Sequence, residues 1–261
     1  MIDARRPRSG IFTFFVGLAL FGVLPHAKAS DLPNVRHFPV TGPLQFVLHD
    51  DINLPFYSWP RTLLSYPVGF SASHVRAEQL QLVDDSTGKT VTMQLSDLQQ
   101  AADGTLKFAR ICFFADLKPG KTASFSLTAA ADHADAGPSL IKESTDNGVI
   151  EIDAGTLQVR IPQSRQFRAG EAIPAPIISI NRGQGWLGDN HLISPKKKVT
   201  SITTQSLNSG PLFHTYSIRY DFDGGGIYTT IVKIVAGYTF VDFSEQIEGL
   251  LKADQAQVDM S

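Results

Sequence analysis

The clearest structural signal in this chain is the stretch Thr215-Tyr216-Ser217-Ile218-Arg219-Tyr220-Asp221-Phe222, in which large apolar side chains alternate with polar ones. Successive side chains of a β-strand point to opposite sides, so this period of two predicts a strand with one buried face. Two turn signals follow, at residues 223–226 (DGGG) and 236–239 (AGYT), and each contains glycine, which tolerates the positive φ angles of tight turns. We therefore predict a three-stranded antiparallel meander over residues 212–247, forming one sheet of a β-sandwich.

The chain after residue 29 shows the same alternation elsewhere and contains no long amphipathic helix. This pattern predicts an all-β protein in which an N-terminal barrel-like β module is followed by an antiparallel β-sandwich module. Residues 96–101 are the one short segment predicted to be helical, with Ser96 as its N-cap. Outside the meander, strands are predicted at residues 44–49, 79–84, 90–95, 106–115, 123–127, 149–153, 157–161, 176–181 and 199–207.

A change in composition predicts where the two modules meet. Residues 131–147 are rich in Ala, Asp and Ser and poor in large apolar side chains, which is typical of a linker. We therefore expect the barrel-like module at residues 30–130 and the sandwich module at residues 148–261. A sheet of this kind continues readily into another strand, so we expect the sandwich module to belong to a longer chain.

The first 29 residues have the features of an export signal. Three arginines, Arg5, Arg6 and Arg8, precede the apolar run at residues 11–24, and Ala27-Lys28-Ala29 matches the small-x-small pattern that signal peptidase cleaves. The apolar run is shorter than the roughly 20 residues of a membrane-spanning helix, so cleavage is favoured over an uncleaved anchor. We expect a periplasmic or secreted protein with no stable membrane span.

Charge and cysteine content narrow the class of protein further. Removal of residues 1–29 leaves 19 basic and 24 acidic residues, and a net charge of −5 argues against nucleic acid or an anionic membrane as partner. The single cysteine, Cys112, lies in the apolar run Ile111-Cys112-Phe113-Phe114 and is predicted to be buried, without any intrachain disulfide. Stability must come from core packing, and about 230 residues can bury roughly 70 per cent of the unfolded surface.

Several motif-like stretches lack the context that their chemistry requires. The GxGxxG stretch at residues 183–188 is not followed by a helix, as dinucleotide binding would require. A calcium-binding EF-hand loop that starts at Asp221 would place Val232 where a bidentate glutamate is needed. Residues 69–73 (GFSAS) resemble the GxSxG nucleophile elbow but end in serine instead of glycine. The histidines show no HxH, HxxxH or HExxH spacing, so we predict no metal site and no cofactor.

Two loops combine a tryptophan with polar side chains, at residues 56–61 (FYSWPR) and 185–191 (GWLGDNH). This mixture allows a sugar ring to stack on the indole while neighbouring groups form hydrogen bonds to its hydroxyls. The structural alternative is that each tryptophan caps one end of a β-sandwich. No catalytic residue is predicted, and the candidate carbohydrate-binding residues are Trp59, Arg61, Trp186, Asp189, Asn190 and His191.

Five segments follow one another in a characteristic order: residues 59–70 (WPRTLLSYPVGF), 80–95 (LQLVDDSTGKTVTMQL), 103–117 (DGTLKFARICFFADL), 148–161 (GVIEIDAGTLQVRI) and the meander ending at Ile247. This order resembles the N-terminal half of the secreted rhamnogalacturonan exo-lyase-like family. The resemblance implies a RIFT-type β-barrel, then a β-sandwich, with the C-terminal α/α toroid of that family missing. The catalytic cleft of the family is expected to depend on the toroid, so the resemblance transfers no catalytic residue.

Three hypotheses about function remain open. The leading one is an exported, non-catalytic front portion of a polysaccharide-degrading enzyme of lyase or glycosidase type, which acts as scaffold and contacts polysaccharide or oligosaccharide. In that case, we expect a C-terminal catalytic domain elsewhere in the full protein. The second is a free-standing periplasmic carbohydrate-binding or structural protein. The third is a complete small lyase or hydrolase that uses a carboxylate with Arg61 or His191. A β-rich fold does not choose among them.

Overall fold

We describe a computed structural model of the chain, which covers residues 34–70, 74–130, 138–250 and 257–259. The predicted export signal at residues 1–29 and the start of the predicted linker, residues 131–137, lie outside the described residues. Within them, regular structure consists of strands and one 3₁₀ turn at Ala77–Gln79. The predicted all-β class is therefore confirmed. None of the described residues forms a helix long and apolar enough to cross a membrane.

Strands are numbered in chain order. In the described part of the chain, no sheet combines strands from β1–β8 with strands from β9–β20, so the sheets fall into two groups. The first eight strands form the N-terminal module and the others form the C-terminal module. Their bounds are β1 (Arg36–His37), β2 (Leu44–His49), β3 (Trp59–Gly69), β4 (Leu80–Asp84), β5 (Lys89–Val91), β6 (Met93–Gln100), β7 (Leu106–Leu117), β8 (Thr122–Ala129), β9 (Lys142–Asp146), β10 (Val149–Asp153), β11 (Gln158–Pro162), β12 (Arg165–Gln166), β13 (Ser179–Asn181), β14 (Trp186–Leu187), β15 (His191–Ile193), β16 (Val199–Ser209), β17 (Phe213–Phe222), β18 (Ile227–Val235), β19 (Val241–Glu248) and β20 (Gln257–Asp259).

The N-terminal module is built from two four-stranded sheets around one apolar core. Sheet 1 has the order β1-β3-β7-β6 and sheet 2 the order β2-β8-β4-β5. Pairing is antiparallel except between β1 and β3, which run parallel. The core is rich in aromatic rings: the ring of Phe113 lies 5.7 Å from that of Phe46 and 5.0 Å from that of Phe125, centroid to centroid. Strands of both sheets thus contribute to one apolar core.

The prediction of a short helix at residues 96–101 is wrong. Residues Met93–Gln100 form β6, which pairs antiparallel with β7. The register shifts between Ser96 and Gln99, and Asp97 adopts a positive φ of 52°, as expected at a β-bulge. The polar composition of this segment reflects its exposed position at the edge of sheet 1, where it has a strand partner on one side only.

The C-terminal module has two five-stranded sheets, one of which contains the predicted meander, and a two-stranded sheet of β15 and β20. Sheet 3 has the order β14-β13-β11-β10-β9 and sheet 4 the order β12-β16-β17-β18-β19. Strands β17, β18 and β19 are consecutive antiparallel neighbours, as predicted. The alternating residues of β17 all point into the core, with exposures of 1% for Tyr216, 0% for Ile218 and Tyr220, and 5% for Phe222. The glycines of the DGGG turn all have positive φ, which explains their use there.

Part of the predicted linker belongs to the sandwich. Residues Lys142–Asp146 form β9, the edge strand of sheet 3, with every residue exposed. Just before it, Ile141 is buried in the core of the C-terminal module. An edge strand is solvated along one side, so its composition can resemble that of a linker.

Strand β7 is shared by the cores of both modules. Ile111 and Phe113 lie in the N-terminal core, whereas Cys112 and Phe114 lie in the C-terminal core. A strand that is buried on both faces shows a continuous apolar run instead of alternation. Cys112 is 2% exposed, which confirms its predicted burial.

A buried amide makes a second connection between the modules. Gln94, on β6, accepts hydrogen bonds through Oε1 from the backbone amides of Leu212 (2.8 Å) and Phe213 (2.9 Å). Its Nε2 donates to the carbonyl of Phe213 at 2.8 Å and also to Oδ1 of Asn208. A side chain on Gly210 would collide with Gln94, because a Cβ there would lie 2.5 Å from the Gln94 Cδ. Sheet 1 therefore clamps the β16–β17 hairpin of sheet 4.

Candidate functional site

A groove of about 490 Å³ runs over sheet 3 of the C-terminal module. Its walls come from β9, β10, β11, β13, β14 and the turn after β14, so residues far apart in sequence meet there. The volume falls within the range of roughly 300–1,000 Å³ that is typical of small-molecule sites. The side chains that matter for chemistry are Ser144, Asp146, Glu151, Arg160, Trp186 and Asp189.

The indole of Trp186, which lines this groove, is held against the guanidinium of Arg160. The Cζ atom of Arg160 lies 3.7 Å from the centroid of the Trp186 ring, a cation–π contact. Arg160 also donates from Nε and Nη2 to Oε2 of Glu151, at 3.1 and 3.0 Å. The antiparallel register of β10 and β11 places Glu151 directly opposite Arg160, which explains their pairing. The groove thus combines a positioned aromatic surface with hydrogen-bonding groups.

The glycine-rich stretch at residues 183–188 builds the turn that presents this tryptophan. The amides of Gly183 and Gly185 donate to Oδ1 of Asn181, at 2.8 and 3.1 Å. Both glycines have positive φ, 85° and 99°, which the turn between β13 and β14 requires. Strand β14 then pairs Trp186 with Asn181. The GxGxxG spacing here serves a β-hairpin, and strand β15 follows it instead of a helix.

The other predicted residues of this loop divide between the groove and its support. Asp189 lines the groove beside Trp186. Asn190 donates from Nδ2 to the carbonyl of Ile177 at 3.0 Å, so its side chain fastens the loop to the sheet. His191 begins β15, where it pairs with Asp259 of β20. The structure therefore brings Trp186 and Asp189 together, whereas Asn190 and His191 contribute to the framework around them.

The other candidate loop, residues 56–61, leads into sheet 1, whereas the groove lies on sheet 3. Trp59 begins β3 of sheet 1, where its Nε1 donates to Oδ1 of Asp50 at 3.0 Å, and the edge of Tyr57 packs on it. Arg61 stacks on the ring of Phe114 at 3.7 Å from its centroid, at the contact between the modules. The aromatic loop remains open to solvent, since Phe56 is 84% exposed. Trp59 and Arg61 thus belong to surroundings separate from the groove.

Asp50 is the group through which we expect acid to change the conformation of the Trp59 loop. Hydrogen bonds from the Trp59 indole and then from the Gly120 amide lower the pKa of Asp50 below 3.8. A carboxylate with a lowered pKa contributes stability at pH above its unfolded value, and loses it as the pH falls through the folded pKa. In a Trp186→Phe chain, where Trp59 is the one remaining tryptophan, we expect fluorescence to change on acidification below pH 3.8.

The matched control for this titration is Asp50→Asn in the same Trp186→Phe chain. An amide at position 50 can still accept the indole hydrogen bond but does not titrate. The acid transition of Trp59 should therefore disappear. An unchanged transition in the Asp50→Asn chain would show that another group controls the loop.

Sequence reasoning missed the strand residues that complete the groove. Asp146 comes from β9, Glu151 from β10 and Arg160 from β11, and the alternation of charged and apolar residues at 149–161 was a signal for the last two alone. Among the described residues, no group of three or more His, Cys, Asp or Glu side chains is placed to hold a metal ion. Neither the protein-family models nor the curated proteins compared with this chain match it.

Proposed function

We propose that this protein is an exported carbohydrate-contacting module, the front portion of a polysaccharide-degrading enzyme of lyase or glycosidase type. In this proposal the module does not itself cleave glycosidic bonds. The main support is the groove in which Trp186 is fixed against Arg160 and surrounded by polar side chains. The segment order that resembles the rhamnogalacturonan exo-lyase-like family is consistent with this role.

The groove offers the two kinds of contact that a sugar ring needs. Arg160 covers one face of the Trp186 indole, so in this proposal the C–H face of a pyranose ring packs on the opposite face. Around it, the carboxylates of Asp146 and Glu151 accept hydrogen bonds from hydroxyls, and the guanidinium of Arg160 donates them. Because the cation–π contact and the ion pair hold the indole and the guanidinium in place, little ordering is needed on binding.

The charge of the groove favours neutral sugars over uronates. The carboxylates of Asp146 and Glu151 line it together with the guanidinium of Arg160. That guanidinium is already paired with Glu151. A uronate would bring one more negative charge to a site with an excess of them, and like charges oppose binding. We therefore expect the groove to take neutral segments of a polysaccharide.

Binding of the chain lacking residues 1–29 to neutral and acidic polysaccharides tests the proposal. We expect saturable binding to a neutral glycan, accompanied by a change in tryptophan fluorescence. The affinity for polygalacturonate should be lower than that for the neutral glycan. Trp186→Ala should weaken binding roughly tenfold, because it removes a stacking contact worth about 1.4 kcal/mol.

The matched control is Trp59→Ala, which removes the same side chain on sheet 1, away from the groove. It should leave affinity for the neutral glycan unchanged if the groove alone binds the sugar, and a parallel loss would make the Trp59 loop a second contact. Equal affinity of the native and Trp186→Ala chains would overturn the groove as the binding site. Release of new saccharide ends by the native chain would overturn its non-catalytic role.

A further inference from the structure

Three side chains outside the groove are arranged in the order serine, histidine and glutamate. The Oγ of Ser209 lies 3.3 Å from Nε2 of His214. On the other side of the ring, Nδ1 of His214 lies 3.0 Å from Oε2 of Glu143. A nucleophile beside one ring nitrogen and a carboxylate beside the other is the geometry of a nucleophilic triad, which is recognised by roles and distances.

The fold explains why these residues meet. Ser209 ends β16, and His214 is its direct partner on β17, so both side chains lie on one face of the hairpin. Glu143 comes from β9, the edge strand of the other sheet, and reaches the same point across the sandwich. The hairpin is held by Gln94, which binds the amides of Leu212 and Phe213. The triad is therefore supported by both sheets of the sandwich and by sheet 1.

Ser209 and His214 differ in solvent exposure, as a serine nucleophile and its general base require. Ser209 is exposed, so a substrate can reach its hydroxyl. His214 is 5% exposed, and burial lowers its pKa against the opposing effect of Glu143. A neutral imidazole can accept a proton from serine. The carbonyl of Gly210 also contacts the ring and favours the protonated form that results.

The carboxylate of Glu143 faces Nδ1 of His214 together with the hydroxyl of Tyr216. It accepts a hydrogen bond from the hydroxyl of Tyr216 at 2.6 Å, and burial keeps that phenol protonated by raising its pKa. Because the Tyr216 hydroxyl donates to Glu143, this hydroxyl and the carboxylate are both acceptors for Nδ1–H of His214, at 3.2 and 3.0 Å, which leaves the lone pair of Nε2 facing Ser209. This tautomer is the one that a general base beside a serine needs.

We propose that Ser209, His214 and Glu143 form a nucleophilic site that hydrolyses short-chain acyl esters. The Ser209 oxygen attacks the acyl carbon while its proton moves to Nε2 of His214, and the ester C–O bond breaks as the leaving alcohol takes that proton. Water then attacks the acyl-serine with His214 as base, which releases the carboxylic acid and restores serine. His214 moves the proton, and Glu143 is a positioning residue that acts through it.

This activity is separate from the proposed carbohydrate contact, since it acts on ester bonds and uses none of the groove residues. The exposed position of Ser209 favours short acyl groups, because a long chain would need an apolar channel for its tail. The probes are therefore p-nitrophenyl acetate for turnover and a fluorophosphonate for covalent labelling of the nucleophile.

The native chain should react with the fluorophosphonate and hydrolyse p-nitrophenyl acetate. Ser209→Ala should abolish both, whereas Ser206→Ala, an exposed serine of the same strand, should leave both unchanged. Glu143→Gln should lower kcat roughly 10²- to 10⁴-fold with little change in KM, since it acts on the histidine and not on the substrate. Unfolding midpoints measured in parallel show whether each variant is folded.

Two results would overturn the proposal. One is the absence of labelling and of turnover in the folded native chain, which would make the three residues a structural hydrogen-bond network. The other is labelling of a folded Ser209→Ala chain at the native rate, which would place the nucleophile elsewhere. Sugar binding is read out independently, through Trp186→Ala, so failure of the ester activity leaves the carbohydrate proposal to its own test.

Discussion

Replacement of Gln94 by leucine is expected to lower the free energy of unfolding by about 3 kcal/mol. Gln94 is 4% exposed, and its amide satisfies the backbone amides of Leu212 and Phe213 and the carbonyl of Phe213. Leucine fills a similar volume but leaves these backbone groups buried without a partner. Each unsatisfied buried group costs about 1–3 kcal/mol, so the loss should exceed that of a single ordinary hydrogen bond.

Gln99→Leu is the matched control for this prediction. Gln99 lies on the same strand, β6, but is exposed, so the same substitution there should change stability by no more than about 0.5 kcal/mol. Urea denaturation of the native chain and the two variants gives the comparison. Equal stability of Gln94→Leu and Gln99→Leu would mean that the amide does not connect the modules.

The meander could be predicted because its signal is local. In β17, Tyr216, Ile218 and Tyr220 follow the period of two, and all three are buried. The continuous apolar run of β7 predicted burial of Cys112 equally well. What the run could not reveal is that its two faces enter different cores, because that depends on the packing of sheet 1 against the C-terminal module.

The groove could be predicted only in part. Trp186 and Asp189 lie in one loop, where a tryptophan among glycines and polar residues is conspicuous. Arg160 and Glu151 are nine residues apart on separate strands, and they meet only through the register of β10 and β11. Register is set by turn geometry and by the burial pattern of the whole sheet. The positions of the charged residues in the sequence do not reveal this register.

The proposed triad shows the same limit more strongly. Ser209 and His214 are close in sequence but match no motif. Their side chains meet because the register of the β16–β17 hairpin pairs them. Glu143 lies in the stretch predicted to be a linker and becomes visible as a partner only when β9 forms the edge of sheet 3. Sites assembled from edge strands and hairpins depend on topology, which a single sequence does not state.

Phe113→Ala is expected to lower the free energy of unfolding by about 4 kcal/mol. The ring of Phe113 is fully buried and lies within 6 Å of the rings of Phe46, Tyr66 and Phe125, measured between centroids. Truncation of a buried phenylalanine removes its transfer free energy and leaves a cavity, which together cost about 3–5 kcal/mol. Phe56→Ala, at a position 84% exposed, should change stability by about 0.5 kcal/mol or less.

The same substitution tests whether the two modules unfold together. Strand β7 carries Phe113 into the N-terminal core and Cys112 and Phe114 into the C-terminal core, so loss of one core should disturb the other. The two tryptophans provide one reporter in each module, Trp59 in β3 and Trp186 in β14. In single-tryptophan chains, Phe113→Ala should shift the denaturation midpoint equally for both reporters. A shift seen by Trp59 alone would show that the C-terminal module folds independently of the shared strand.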